Sequence, residues 1–125
     1  MKPGGAGKFL LFFEKYEREY MRTCFLLKVR KEKVAEYKKR HAAVWPEMVA
    51  ALERTGWKNY SIFLRPDGLL VGYVESDDFE QASAAMKEEP VNERWQKEMV
   101  PFFESLDGGG ADDNMFPLEE VFHLD

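Results

Sequence analysis

Trp57-Lys-Asn-Tyr-Ser-Ile-Phe-Leu-Arg-Pro-Asp-Gly-Leu-Leu-Val-Gly-Tyr-Val-Glu75 carries the topology of this chain. Its first eight residues alternate with period two, so Tyr60, Ile62 and Leu64 share one face of a strand and Asn59, Ser61 and Phe63 the other. Arg65-Pro-Asp-Gly68 is a turn with glycine at its last position, and Leu69 to Glu75 returns as a second strand. The two make a hairpin. Upstream, Thr23 to Val29 is another β-rich apolar run, closed by Arg30-Lys-Glu-Lys33. Between that run and the hairpin, Val34, Tyr37, His41 and Val44-Trp45 recur at helical spacing. Pro46 cannot lie inside a helix, because it lacks an N–H and clashes with the preceding turn, but it can open a new one. The pattern therefore predicts a broken helix, Glu32 to about Ala43 and Pro46 to about Arg54, ended by Gly56.

Downstream of the hairpin, Phe79, Ala82 and Met86 form the stripe of a helix from Asp78 to Glu89. Pro90 interrupts it, and Val91, Trp95 and Met99 continue the pattern to about Val100. Asp107 to Asn114 reads as a solvated loop, and Leu118 to Leu124 is expected to supply the last strand. Strand, helix, strand, strand, helix, strand is the ferredoxin-like βαββαβ order. The expected α+β sandwich has a four-stranded antiparallel sheet with its helices on one face. Its other face has no cover within one chain, which predicts a homodimer.

Composition agrees with one domain. The chain has 125 residues, 45% hydrophobic and 33% charged, enough for a single core. Eighteen basic against 23 acidic residues give a net charge of -5, and the basic ones are scattered. Neither a nucleic-acid backbone nor an anionic membrane is favoured as a partner. No segment has the apolar length of a membrane span. The single cysteine, Cys24, has no partner for an internal bridge, which fits a reducing, cytoplasmic setting. Residues 1–20 read as a flexible leader: Met1-Lys-Pro-Gly-Gly-Ala-Gly-Lys8, then an apolar run, Phe9 to Phe13, too short for a secretory core. Met21 would serve as a natural first residue, and the domain is expected over 21–125.

The chemistry available is narrow. There is no redox thiol pair, no Gly-rich phosphate loop and no nucleophile elbow. Two histidines without spaced carboxylates make no metal motif, so neither metal nor cofactor is expected. Tyr37 and His41, four apart, project from one helix face toward the sheet. They are either a hydrogen-bonded core pair or the polar tips of a pocket. Trp95 and Tyr60 divide the same way between packing and a wall. Joined with Tyr37 and His41, they would make flat apolar walls with a few directed polar groups, a composition suited to a sugar. His123, flanked by Phe122 and Leu124, reads as structural or as part of a dimer surface, and Trp45 and Trp57 read as packing.

Four stretches, Glu36-Tyr-Lys-Lys-Arg-His-Ala-Ala-Val-Trp-Pro-Glu47, Asn59-Tyr-Ser-Ile-Phe-Leu64, Glu93-Arg-Trp-Gln-Lys-Glu-Met99 and Leu118-Glu-Glu-Val-Phe-His-Leu124, resemble the L-rhamnose mutarotase family from about Met21 to Asp125. The resemblance implies a dimeric, cofactor-free isomerase of the dimeric α/β-barrel type, which interconverts the α and β anomers of L-rhamnose by opening and closing the pyranose ring. It implies His41 as proton donor and Tyr37, Tyr60, Trp95 and Gln96 as sugar contacts. Gln96 stands where some members carry the second of two tryptophans. The general base stays open among Tyr37, Tyr60, a carboxylate and bound water. A small α+β-barrel monooxygenase and a non-catalytic sugar-binding dimer are the competing functions for such a domain.

Overall fold

Alternation along the strands sets the layers of the structure, a computed structural model that describes residues 20–105, 111 and 114–125. The expected leader, Tyr20 apart, and most of the Asp107–Asn114 loop lie outside the described residues. In β1 (Met21–Val29), Thr23, Phe25, Leu27 and Val29 are buried, while Arg22, Cys24, Leu26 and Lys28 lie on the opposite face. β2 (Lys58–Leu64) and β3 (Leu69–Ser76) form the expected hairpin, closed by the Gly68 N–H donating to the Arg65 carbonyl at 2.8 Å. Gly68 has φ +103, and a Cβ there would stand 2.0 Å from the Val29 carbonyl oxygen, so only glycine closes this turn against β1.

The predicted break at Pro46 is present. A short 3-10 turn leads into α1 (Val34–His41), and α2 starts afresh with Pro46 at its first position and runs to Arg54. α3 (Phe79–Lys87) is capped by the Asp78 carboxylate, which accepts from the Gln81 N–H at 3.1 Å. α4 (Pro90–Met99) also begins on proline. Tyr37, Met48, Ala51, Phe79, Met86 and Trp95 from the four helices join the inward strand residues in one core. Three ion pairs cross the helix layer: Arg40–Glu98 at 2.8 Å, Arg94–Glu47 at 2.7 Å and Arg54–Glu89 at 2.6 Å. Solvent-exposed pairs contribute little, so burial of Val91, Trp95 and Met99 is what seats α4.

The sheet order is β2-β3-β1-β4, the ferredoxin-like order, antiparallel throughout. Its fourth strand is not where the sequence pattern put it. β4 is Phe103–Glu104, pairing with Val29 and Lys28, and Leu118 to Leu124 forms no strand. Pro101 lies in a 3-10 turn (Val100–Phe102) that swings the chain to the edge of β1, where the Arg30 N–H meets the Phe102 carbonyl at 2.8 Å. The tail touches that edge farther along, through the Leu118 N–H to the Cys24 carbonyl at 2.7 Å and the Arg22–Glu120 ion pair at 3.0 Å. Beyond these, adjacent Val121 and Phe122 offer no single apolar face, and both are exposed, as is Leu124. His123, expected on that strand, instead bonds Asp125 at 2.8 Å, at the surface.

Gly72 lies opposite Phe25 in the ladder, and a Cβ on it would come within 2.3 Å of the Phe25 ring. Phe25 is fully buried, against Phe79 and Tyr60. Gly72→Ala is expected to destabilise the fold by about 1–3 kcal/mol through overpacking. Thermal or urea unfolding measures it, and an unchanged midpoint would show that the ring moves aside freely.

Candidate active site

The helix break puts the site together. His41 is the last residue of α1, and its Nδ1 lies 3.0 Å from the carbonyl oxygen of Tyr37, one turn back. A carbonyl only accepts, so Nδ1 carries the hydrogen and the neutral ring keeps its lone pair on Nε2. The imidazole stacks on the Tyr37 ring at 4.1 Å between centroids and meets Trp95 edge-on at 5.5 Å. Trp95 also meets Trp45, edge-on at 5.0 Å. His41 therefore has aromatic neighbours from both α1 and α4.

Tyr60 reaches the same space from the inner face of β2, shared with Ile62 and Leu64 as alternation predicts, and a backbone irregularity just before it brings Trp57 to that side too. Lys58 pairs with Glu75 but Ser61 pairs with Tyr73, so β2 has two residues against one of β3. Asn59, at φ 48, absorbs the extra residue in the left-handed region that asparagine tolerates better than most. Its Nδ2 donates to the Glu75 carboxylate at 3.0 Å, which also accepts from the Tyr73 hydroxyl at 2.8 Å. Lys58 and Ser61 thereby both follow the outer-face register, while Tyr60 keeps the inward direction of Ile62 and Leu64. It packs on Trp57 at 4.9 Å.

These residues line a cavity of about 360 Å³, within the roughly 300–1,000 Å³ range of small-molecule sites. Tyr37, His41, Tyr60, Trp95 and Gln96, the five residues singled out in the sequence, all border it. Met48, Leu70 and Met99 add apolar walls, and Ala111 and Met115 border it from the segment before the tail. Sequence reasoning missed two neighbours. Trp57, read as packing, lines the cavity while its indole N–H donates to the Ala82 carbonyl at 3.2 Å. Asn92, buried in α4, donates from Nδ2 to the Met86 carbonyl at 3.0 Å and accepts from Gln96 Nε2 at 3.1 Å. Two amides four apart on one helix face were the available signal. Trp45 stays a packing residue behind Trp95.

Burial governs the electrostatics. It raises the Tyr37 phenol far above its ordinary value, and the adjacent Tyr60 hydroxyl raises it further. Burial lowers His41 below its ordinary value near 6.5, only partly opposed by its bond to the Tyr37 carbonyl. No carboxylate is among the described residues that line the cavity. Nor is there a cluster of metal-ligating side chains among the described residues. At neutral pH the site thus offers one unprotonated imidazole nitrogen beside a phenol that keeps its proton.

A family model described as L-rhamnose mutarotase matches residues 22–124. The chain belongs to the L-rhamnose mutarotase family. Among its relatives, the L-rhamnose mutarotase of Oceanobacillus iheyensis is 42% identical over 107 residues, covering 83% of this chain and 98% of that protein. The Bacillus subtilis L-rhamnose mutarotase is 37% identical over 105 residues, with the same coverage. The crystal structure of L-rhamnose mutarotase from Formosa agariphila superposes with a TM-score of 0.67 at 25% identity, over 84% of this chain and 99% of that one. Tetracenomycin F2 cyclase from Streptomyces glaucescens, at TM-score 0.53 and 18% identity, shares the fold alone. The family match spans every element that builds the cavity.

Because the folded protein protonates His41 less readily than the unfolded chain, this residue's contribution to stability is intact above pH about 6.5. It is lost as pH falls through the lowered value. Long-range proton–nitrogen NMR of the imidazole should show hydrogen on Nδ1 in the neutral form and a titration midpoint below 6.5. A midpoint above 6.5, or hydrogen on Nε2, would contradict this geometry.

Proposed function

We propose that this protein is an isomerase that interconverts the α and β anomers of L-rhamnose by acid/base-assisted opening and closure of the pyranose ring. The observation that carries the reading, beside family membership, is His41. Its Nδ1 is committed to the Tyr37 carbonyl, which leaves Nε2 as the proton-transferring atom in an aromatic-walled cavity.

Ring opening requires the anomeric O1–H to lose its proton as the C1–O5 bond breaks. The O–H electrons become the second bond of the C1 aldehyde, and O5 takes a proton. Neutral His41 receives the O1 proton at Nε2. A phenol, Tyr37 or Tyr60, donates toward O5; burial keeps the Tyr37 phenol protonated near neutrality, which rules it out as the base. Once C1 has turned about C1–C2, O5 attacks the other face and returns its proton. The His41 imidazolium then donates to the carbonyl oxygen. His41 is thus base on opening and proton donor on closure, which unites the donor role expected from the sequence with the base it left open. Tyr60, Trp95 and Gln96 would hold the sugar, rings against its C–H faces and the amide against a hydroxyl.

The assembly inferred with this reading is a homodimer. Leu26, Val71 and Phe63 lie on the sheet face away from the helices, and Val121, Phe122 and Leu124 project from the tail. A second copy would cover both surfaces. A cytoplasmic site of action goes with this reading, on the strength of the single, bridge-free cysteine. No helix among the described residues is long and apolar enough to cross a membrane.

The purified protein is expected to accelerate exchange between the L-rhamnose anomers, measured by saturation-transfer NMR. His41→Ala should slow that exchange by roughly a hundredfold or more while circular dichroism is unchanged and sugar affinity falls much less. Near-normal exchange by the folded variant would remove His41 from the reaction, and no exchange by the wild type would remove the function. Sedimentation at micromolar concentration should give about twice the 14.6 kDa chain mass, and a monomer would refute the dimer.

A further inference from the structure

The α4 face toward the cavity holds a chain of amides whose direction is dictated from one end. Met86 lies in the last turn of α3, and its carbonyl accepts from the Glu89 N–H at 3.0 Å and from Asn92 Nδ2 at 3.0 Å. A carbonyl has no hydrogen to give, so the Asn92 amide must turn its nitrogen toward Met86 and its oxygen the other way. That oxygen can only accept, so the Gln96 amide must in turn present its nitrogen, at 3.1 Å. Gln96 Oε1 is the far end of the chain. Neither amide can flip without setting like atoms against each other. Asn92 is buried and Gln96 half-buried, both at the cavity wall.

From this geometry we infer that Asn92 is a positioning residue for substrate. It holds the Gln96 amide with Oε1 as acceptor for one hydroxyl hydrogen of the sugar, and the site reads that hydroxyl as a donor. Asn92 acts through Gln96 and does not touch the sugar through this bond. The arrangement provides a directed acceptor in a wall made mostly of aromatic, aliphatic and thioether side chains. This inference rests on the sugar-isomerase reading for its ligand but not on the identity of the proton-transferring group.

The test is a double-mutant cycle read on L-rhamnose affinity by calorimetry and on KM and kcat of anomer exchange. Gln96→Met keeps the side-chain length and removes the acceptor, and is expected to weaken affinity and raise KM about three- to tenfold with kcat changed by less than about twofold. Asn92→Leu should produce a similar loss, because the freed amide no longer has one orientation. Met86 keeps its Glu89 partner in that variant. The double variant should be no worse than Gln96→Met alone, since Asn92 has then nothing to orient. Additive losses would mean that Asn92 acts through packing, and an unchanged affinity in Gln96→Met would place Gln96 outside the contact; either overturns the inference. Should Asn92→Leu fail to fold, Gln96→Glu decides at the half-buried position. Its carboxylate meets the fixed Asn92 oxygen, so it should bind at least as weakly as Gln96→Met although it retains an acceptor, whereas affinity equal to wild type would refute the fixed orientation. A wild-type protein that neither binds nor exchanges L-rhamnose would instead remove the functional reading itself, an outcome separate from any pattern among the variants.

Discussion

The Phe25 ring fills the space in which Gly72 would otherwise carry a side chain, and much of the molecule is arranged around that substitution of one residue's bulk for another's. Phe25 and Gly72 face each other across β1 and β3, at the centre of the sheet. With no Cβ opposite, the ring can lie low over the sheet, 6.1 Å from Phe79 of α3 and 6.5 Å from Tyr60 of β2. Phe79 in turn meets Trp57, and Trp57 meets Tyr60. Close packing carries position from the middle of the core to the cavity wall without a polar group, as expected where interiors are as dense as molecular crystals.

The same apolar construction sets the protonation states. A wall of indoles, phenols and thioethers has little capacity to solvate charge, which favours neutral forms of whatever titrates inside it. For imidazole that means a vacant nitrogen at neutral pH, and for phenol a retained hydrogen. The two groups are pushed toward complementary proton-acceptor and proton-donor states by one environment. The backbone supplies what the environment cannot, a choice between the two imidazole nitrogens.

Both the helix pairs and the hairpin were legible because each is marked twice, by periodicity and by a proline or glycine at its limit. Pro46, Pro90 and Gly68 all stand where the pattern placed a break or a turn. The fourth strand failed both tests. Phe103–Glu104 is two residues long and follows a 3-10 turn, so it has no period to detect. The tail has strand-like composition but spends it on exposed positions, and propensity cannot say whether a neighbouring strand exists. In the site, Tyr37 and His41 were visible from helical spacing and the inner face of Tyr60 from strand alternation, whereas the inward side of Trp57 depends on a register shift that alternation alone does not reveal. Asn92 was hidden because its partners are a backbone carbonyl in another helix and an amide one turn on, and only coordinates join them.

β2 is the last strand on its side of the sheet, with no strand hydrogen-bonded beyond it among the described residues. Such a border is a template on which a foreign strand can grow, and proteins with flat, regular borders risk fibrous association. Here Asn59 breaks the regularity three residues before Ile62, in a conformation that an incoming ladder cannot match. The irregularity that lets Trp57 share the inner side with Tyr60 therefore also guards the protein against open-ended aggregation. Removing it to straighten the strand would expose a longer docking edge while it emptied one wall of the site, so solubility and ligand recognition here share a single backbone kink.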